Sequence, residues 1–113
     1  MKTLTIVSLV MASAFSMVSA RCSFGSQAGC GGSESINKKD FQCCMDRLAK
    51  TDHFKKSEAS CGSIRCSGIV GYDFQDLRQK LWDQCLSGGR SHHDGQSWCR
   101  GIESDIYLRY DKI

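Results

Sequence analysis

The chain has 113 residues, eight cysteines, no proline, and 15 Lys or Arg against 12 Asp or Glu, for a formal net charge of +3. The signs are interspersed, so there is no broad cationic face, and specific or bulk binding of nucleic acid is not expected. All eight cysteines follow an apolar leader and fall between Cys22 and Cys99, so the composition describes a small exported domain held by disulfides rather than by a large core.

Residues 1–20 open with Lys2, run through Leu4, Ile6, Val7, Leu9 and Val10, and end in Val18-Ser19-Ala20. A basic start, a short apolar stretch and a small-residue end predict a signal peptide, cleaved after Ala20, and residues 21–113 as one secreted domain. The apolar stretch is too short and too interrupted by serines for a membrane span, and no second such stretch follows. In an oxidising compartment an even number of cysteines pairs within the chain, so Cys22, Cys30, Cys43, Cys44, Cys61, Cys66, Cys85 and Cys99 are all expected in disulfides. Each bridge is worth about 2–4 kcal/mol, chiefly by restricting the unfolded chain.

From Cys22 to Ser35, four glycines and several serines leave no periodicity, and the segment reads as a loop tied down by Cys22 and Cys30. Lys38-Lys39 is a surface doublet or a dibasic processing site in an exposed loop. The run Phe41 to Leu48 either starts a helix with Phe41, Cys44, Met45 and Leu48 on one side, or is a short strand that sends Cys43 and Cys44 to opposite faces. Ile64 and Ile69-Val70 are strand candidates.

Residues 74–86 carry the best helical pattern: Phe74, Leu77, Leu81 and Cys85 recur at helical spacing and Trp82 widens the stripe. Asp73 is placed to cap the amide of Asp76, and Gly88-Gly89 supplies a stop. Residues 90–97 read as a polar loop, Trp98 as the start of a strand, and Ile106, Leu108 and Tyr110, alternating with Tyr107 and Arg109, as a last strand. Trp82 and Trp98 are both expected in the core, leaving Tyr107 and Ile113 as apolar contact candidates. The simplest fold is α+β, a disulfide-rich two-layer sandwich with two helices on an antiparallel sheet.

The one concentration of catalytic residue types is His92, His93 and Asp94, with Arg90 and Arg100 near in sequence and Glu103 beyond Cys99. A histidine and carboxylate can act as general base while an arginine holds phosphate, which would suit a small secreted ribonuclease or phosphodiesterase. A glycine-flanked polar loop is equally an ordinary place for these residues, and no catalytic role is assigned to them. Zinc is disfavoured because the cysteines form no paired C-x2-C knuckles, so no metal or cofactor is expected. A phospholipase would need a glycine-rich calcium loop beside its histidine helix, which is absent. The glycine-rich segment of Cys22 and Cys30 could instead present the rigid edge of a secreted protein inhibitor.

The segment Asp73-Phe74-Gln-Asp-Leu77-Arg78-Gln-Lys-Leu81-Trp82-Asp-Gln-Cys85 resembles the cysteine-closed helix of the KP6-type killer toxins and KP6-like fungal effectors. The sixteen-residue interval between Cys44 and Cys61, the Cys85…Cys99 segment and the total of eight cysteines extend the resemblance over roughly residues 41–99. It implies a small secreted α/β protein with helices over a disulfide-linked sheet, acting on susceptible fungal cells or during plant colonisation, with no catalytic set to carry over. The expected activity is therefore recognition, by a monomer, of a host or competitor protein, glycan or membrane component, outside the cell or after entry into a host cell.

Overall fold

The computed structural model describes residues 22–23, 25–32, 34–101 and 105–113; the signal peptide expected over residues 1–20 lies outside them. Asn37 sits in extended backbone and its Oδ1 accepts from the Lys39 amide at 2.9 Å, which starts helix α1, Lys38–Ala49. Phe41, Cys44, Met45 and Leu48 are all fully buried on one side, so of the two readings of this segment the helix is the observed one. Lys38 and Lys39 occupy the first helical turn rather than the exposed loop that dibasic cleavage would require. The Lys38 Nζ lies 5.8 Å from the centre of the Trp82 ring.

Strand β2, Lys56–Cys61, turns through Gly62-Ser63 into β3, Ile64–Ile69. Helix α2, Phe74–Leu81, widens into a π-helical turn at Trp82–Leu86, with Phe74, Leu77, Leu81, Cys85 and Leu86 buried. Gly88 and Gly89 both take left-handed backbone, φ 63 and 83, and end the element as expected. Asp73 does not cap the helix with its side chain; its Oδ2 accepts from the Cys22 amide at 2.8 Å and ties down the start of the described chain. The chain closes with β4, Asp94–Arg100, and β5, Asp105–Lys112.

The glycine-rich segment is not simply a loop. Gln27–Gly31 forms β1, antiparallel to β4 with Cys30 opposite Gly95. The sheet order is β1-β4-β5-β3-β2, antiparallel throughout, so β1 and β2 are edges. Neither edge is marked in the sequence, for the same reason. An edge strand of small or polar residues, Gln-Ala-Gly-Cys-Gly or Lys-Ser-Glu-Ala-Ser-Cys, has little apolar alternation, and its extended form is set by its neighbour. Residues 94–97 likewise belong to β4 rather than to a loop, because Gly95 and Ser97 stand at core positions where small residues hide the strand pattern.

The structure is the expected α+β sandwich: α1 and α2 pack on one face of the five-stranded sheet. The core lies between the layers, where Ile64 and Cys66 of β3 and Ile106, Leu108 and Tyr110 of β5 meet the buried stripes of the helices. Phe41 meets Tyr110 edge to face at 5.2 Å, and Ser97 Oγ, fully buried, donates to the Leu77 carbonyl at 2.9 Å. Gly95 permits the close approach of the layers: a Cβ there would lie 2.8 Å from Tyr110 Cε1 and 2.9 Å from Cys85 Sγ.

Four disulfides join the layers and ends. Cys43 and Cys44, adjacent on α1, reach Cys61 of β2 and Cys66 of β3; Cys30 of β1 holds the π-helical turn at Cys85; and Cys22 is bonded to Cys99 of β4. Trp82 is half-buried at the margin of the core, 5.9 Å from Phe41. Trp98, in contrast, is on the other side of the sheet. Strand alternation sends Ser97 and Cys99 inward and Trp98 out, which corrects its expected place in the core.

Candidate functional site

Of the residues singled out as a catalytic set, the structure brings His93 and Asp94 together and separates the others. His93 Nε2 lies 3.4 Å from Asp94 Oδ2. His92 Nδ1 is 2.9 Å from the Gly32 carbonyl and its own carbonyl accepts from Tyr110 Oη at 2.8 Å. Arg90 Nη1 donates to the Asp83 and Ser87 carbonyls behind α2. Arg100 is at the opposite end of β4 from Asp94, about 20 Å along the strand, and Glu103 lies outside the described residues.

The two histidines are packed against backbone instead of facing a cleft. The His93 ring covers Gly32, where a Cβ would fall 1.7 Å from Cε1, and the Asp94 carboxylate covers Gly31. His93 Nδ1 is buried with no hydrogen-bond partner among the described residues. Tyr110, buried between the layers, is held neutral well above the usual phenol range, first by burial and then by the Asp94 charge. These contacts read as a clamp on the end of β1. No group of three or more potential metal ligands occurs among the described residues, and none of their helices is long and apolar enough to cross a membrane.

The face of the sheet away from the helices carries two shaped depressions. Register places its side chains in rows. Gln27, Trp98 and Tyr107 are cross-strand neighbours, and continuing the β3–β5 register past Gly68 and Leu108 sets Ile69 beside Tyr107 and opposite Lys56. Lys56 Nζ is 5.9 Å from the centre of the Tyr107 ring. The next row is Gly29, Gln96, Arg109, Ser67 and Glu58, and the third is Gly31, Asp94, Asp111, Arg65 and Ser60.

Arg65 is engaged by Asp111 at 2.8 Å, and that carboxylate, by hydrogen bond and charge, raises the already high guanidinium pKa. Arg109, exposed at mid-face, has no ion pair among the described residues. Because β1 offers glycine at positions 29 and 31, the face is hollowed beside Gln96. One depression of about 460 Å3 runs from Gly29 and Gly31 past Asp94 and Gln96 to Arg109. A second, of about 340 Å3, lies between Gln96, Trp98, Asp105 and Tyr107. Two half-buried aromatic rings, a guanidinium without an ion pair among the described residues and a planar amide share one strand surface, which thus offers both apolar and directional contacts. A further hollow between the helices, lined by Gln42, Arg78 and Trp82, is closed down by Arg78, which bonds Asp46 at 2.9 Å and Gln42.

Of these residues the sequence alone marks Tyr107 as a contact candidate and passes over Trp98, Gln96 and Arg109. The signal existed in β5, where Tyr107 and Arg109 alternate with the buried residues, and extending that period across β4 would have set Trp98 and Gln96 on the same side.

No family model matches the chain, and no curated protein is significantly similar to it in sequence. A solved structure similar in fold is the tandem DUF26 ectodomain of the Arabidopsis thaliana cysteine-rich receptor-like protein PDLP8, at 14% identity and a TM-score of 0.60, covering 86% of this chain and 48% of that one. The chain thus spans about half the length of that structure. The likeness is one of fold: a small disulfide-rich α+β domain.

Proposed function

We propose that the chain is a secreted recognition protein, of the fungal effector or killer-toxin-like kind, that binds a host or competitor target through the helix-free face of its sheet. The observation that carries this reading is the row Trp98-Tyr107 beside the unpaired Arg109 on a surface that four disulfides hold rigid. Aromatic and arginine side chains supply most of the energy of binding hot spots, and a surface already ordered before contact loses little entropy on association. The eight-cysteine pattern and the helix closed by Cys85 support the kinship with KP6-type proteins. The likeness to a receptor-like ectodomain is consistent with action outside the cell.

Chemistry is a weaker use of these residues. The histidine-carboxylate pair is present, but the arginines proposed to hold a phosphate point elsewhere, and His93 is committed to Gly32. The test is to replace Trp98 and Arg109 singly by alanine in the oxidised protein and to measure toxicity toward susceptible cells, or the host response, together with thermal unfolding. Losses of about tenfold or more in potency with an unchanged melting temperature are expected. Full potency in both variants refutes the assignment of this face.

A further inference from the structure

Phe54 is the one non-glycine residue in left-handed backbone among the described residues, with φ 64. For a bulky side chain that conformation costs about 1–2 kcal/mol. Phe54 is 45% exposed and its ring stands 5.5 Å from that of Tyr72, itself 42% exposed. The Phe54 amide donates to the Val70 carbonyl at 2.8 Å, which locks the α1–β2 loop against the segment after β3. His53 joins the cluster edge to face at 6.1 Å. Two exposed aromatic rings are thus presented side by side at one end of the sheet, one of them on strained backbone.

The surroundings are basic. Lys50, Lys55 and Lys56 flank Phe54 in sequence and all are exposed; none is in an ion pair among the described residues. Against them stand Asp52 and Asp73, the latter engaged by the Cys22 amide. The rings line none of the depressions described above. An exposed aromatic pair flanked in sequence by exposed lysines suits an anionic lipid surface, where rings enter the interfacial zone and ammonium groups stay among headgroups.

We infer that the Phe54–Tyr72 knob, with Lys50 and Lys55, docks the protein on anionic membranes, independently of the target-binding face proposed above. The test is co-sedimentation of the folded, oxidised protein with phosphatidylcholine vesicles, with and without about 30% phosphatidylserine, at low ionic strength and at about 0.5 M salt. Binding is expected only to the anionic vesicles and is expected to weaken in salt.

Phe54→Gly removes the ring and suits the left-handed backbone, so it is expected to keep the melting temperature while lowering partitioning about tenfold. Lys50→Gln with Lys55→Gln is expected to lower it about thirtyfold. Wild-type protein that fails to bind anionic vesicles at low salt, or Phe54→Gly protein that binds undiminished, overturns the inference. If Phe54→Gly abolishes attachment to cells but vesicles never bind, the knob is a protein contact and the lipid assignment is wrong. If Trp98→Ala or Arg109→Ala loses vesicle binding while Phe54→Gly keeps it, the lipid seat is the sheet face, which removes this inference and leaves the proposed face standing.

Discussion

The imidazole of His93 lies against the backbone of Gly32, which has φ +75 and no room for a side chain: a Cβ would come within 1.7 Å of the ring. The pair joins the end of β1 to the start of β4, and both residue types are explained by the contact. Gly32→Ala is therefore expected to destabilise by about 2 kcal/mol or more, since left-handed backbone alone costs about 1–2 kcal/mol for alanine and the ring must also move. Denaturant unfolding of the oxidised protein measures it.

If the histidines clamp β1 and do not catalyse, conservative replacement affects folding more than activity. His92→Gln is expected to cost about 1 kcal/mol through the Gly32 carbonyl contact, and His92→Gln with His93→Gln to leave toxicity or host response largely intact. RNA incubated with the folded protein should show no turnover above that of the double variant. Loss of activity at unchanged stability would restore a chemical role to His93 and Asp94.

Tyr110 makes an alkaline prediction. In the unfolded chain its phenol ionises near pH 10, while in the fold burial and Asp94 hold it neutral to higher pH. Above about pH 10 the unfolded state has released a proton that the folded state retains, so stability contributed below that pH declines as pH rises toward the folded-state value. Tyr110→Phe is expected to lose about 1 kcal/mol at neutral pH with the bond to the His92 carbonyl, yet to show a shallower decline above about pH 10. Short unfolding measurements on both proteins, before disulfide exchange begins, give the difference.

Disulfide reduction needs access of a thiolate to a sulfur. Cys44 and Cys66 are 0% and 1% exposed, whereas Cys22, Cys30, Cys43 and Cys61 each leave some surface open on the other three bridges. Under limiting reductant in native conditions, the Cys44–Cys66 bridge is expected to open last. Alkylation and peptide mass mapping over time reads the order.

The β2 edge carries a guard. Arg47 Nη1 donates to the Ser60 carbonyl at 2.8 Å, placing a charged side chain where a foreign strand would pair. Arg47→Ala is expected to raise self-association at high protein concentration with little change in melting temperature, measurable by light scattering.

These contacts also mark what the sequence could disclose. The α2 stripe and the β5 alternation are readable because each buries large side chains at its own period, while the α1 segment, with adjacent Cys43 and Cys44, fits a helix or a short strand until the structure shows Phe41, Cys44, Met45 and Leu48 on one helical side. The edge strands β1 and β2 are not readable, since Gly29, Gly31, Ser57 and Ala59 carry no apolar period and are extended only because β4 and β3 lie alongside. The residues of the helix-free face emerge only once β4 is known to begin at Asp94: a loop through residue 97 hides the parity that puts Trp98 outside with Gln96. Arg100 and Asp94 are near in sequence but stand at opposite ends of β4, and Arg90 is engaged by the Asp83 and Ser87 carbonyls.

The Cys22–Cys99 bond spans 77 positions, almost the whole folded chain. A protease that severs one peptide bond anywhere between those two cysteines, including after Lys38 or Lys39, therefore releases no fragment. Wherever proteases act on it, a nicked molecule keeps all its residues and its pieces stay tethered, and a reducing gel reveals the cut.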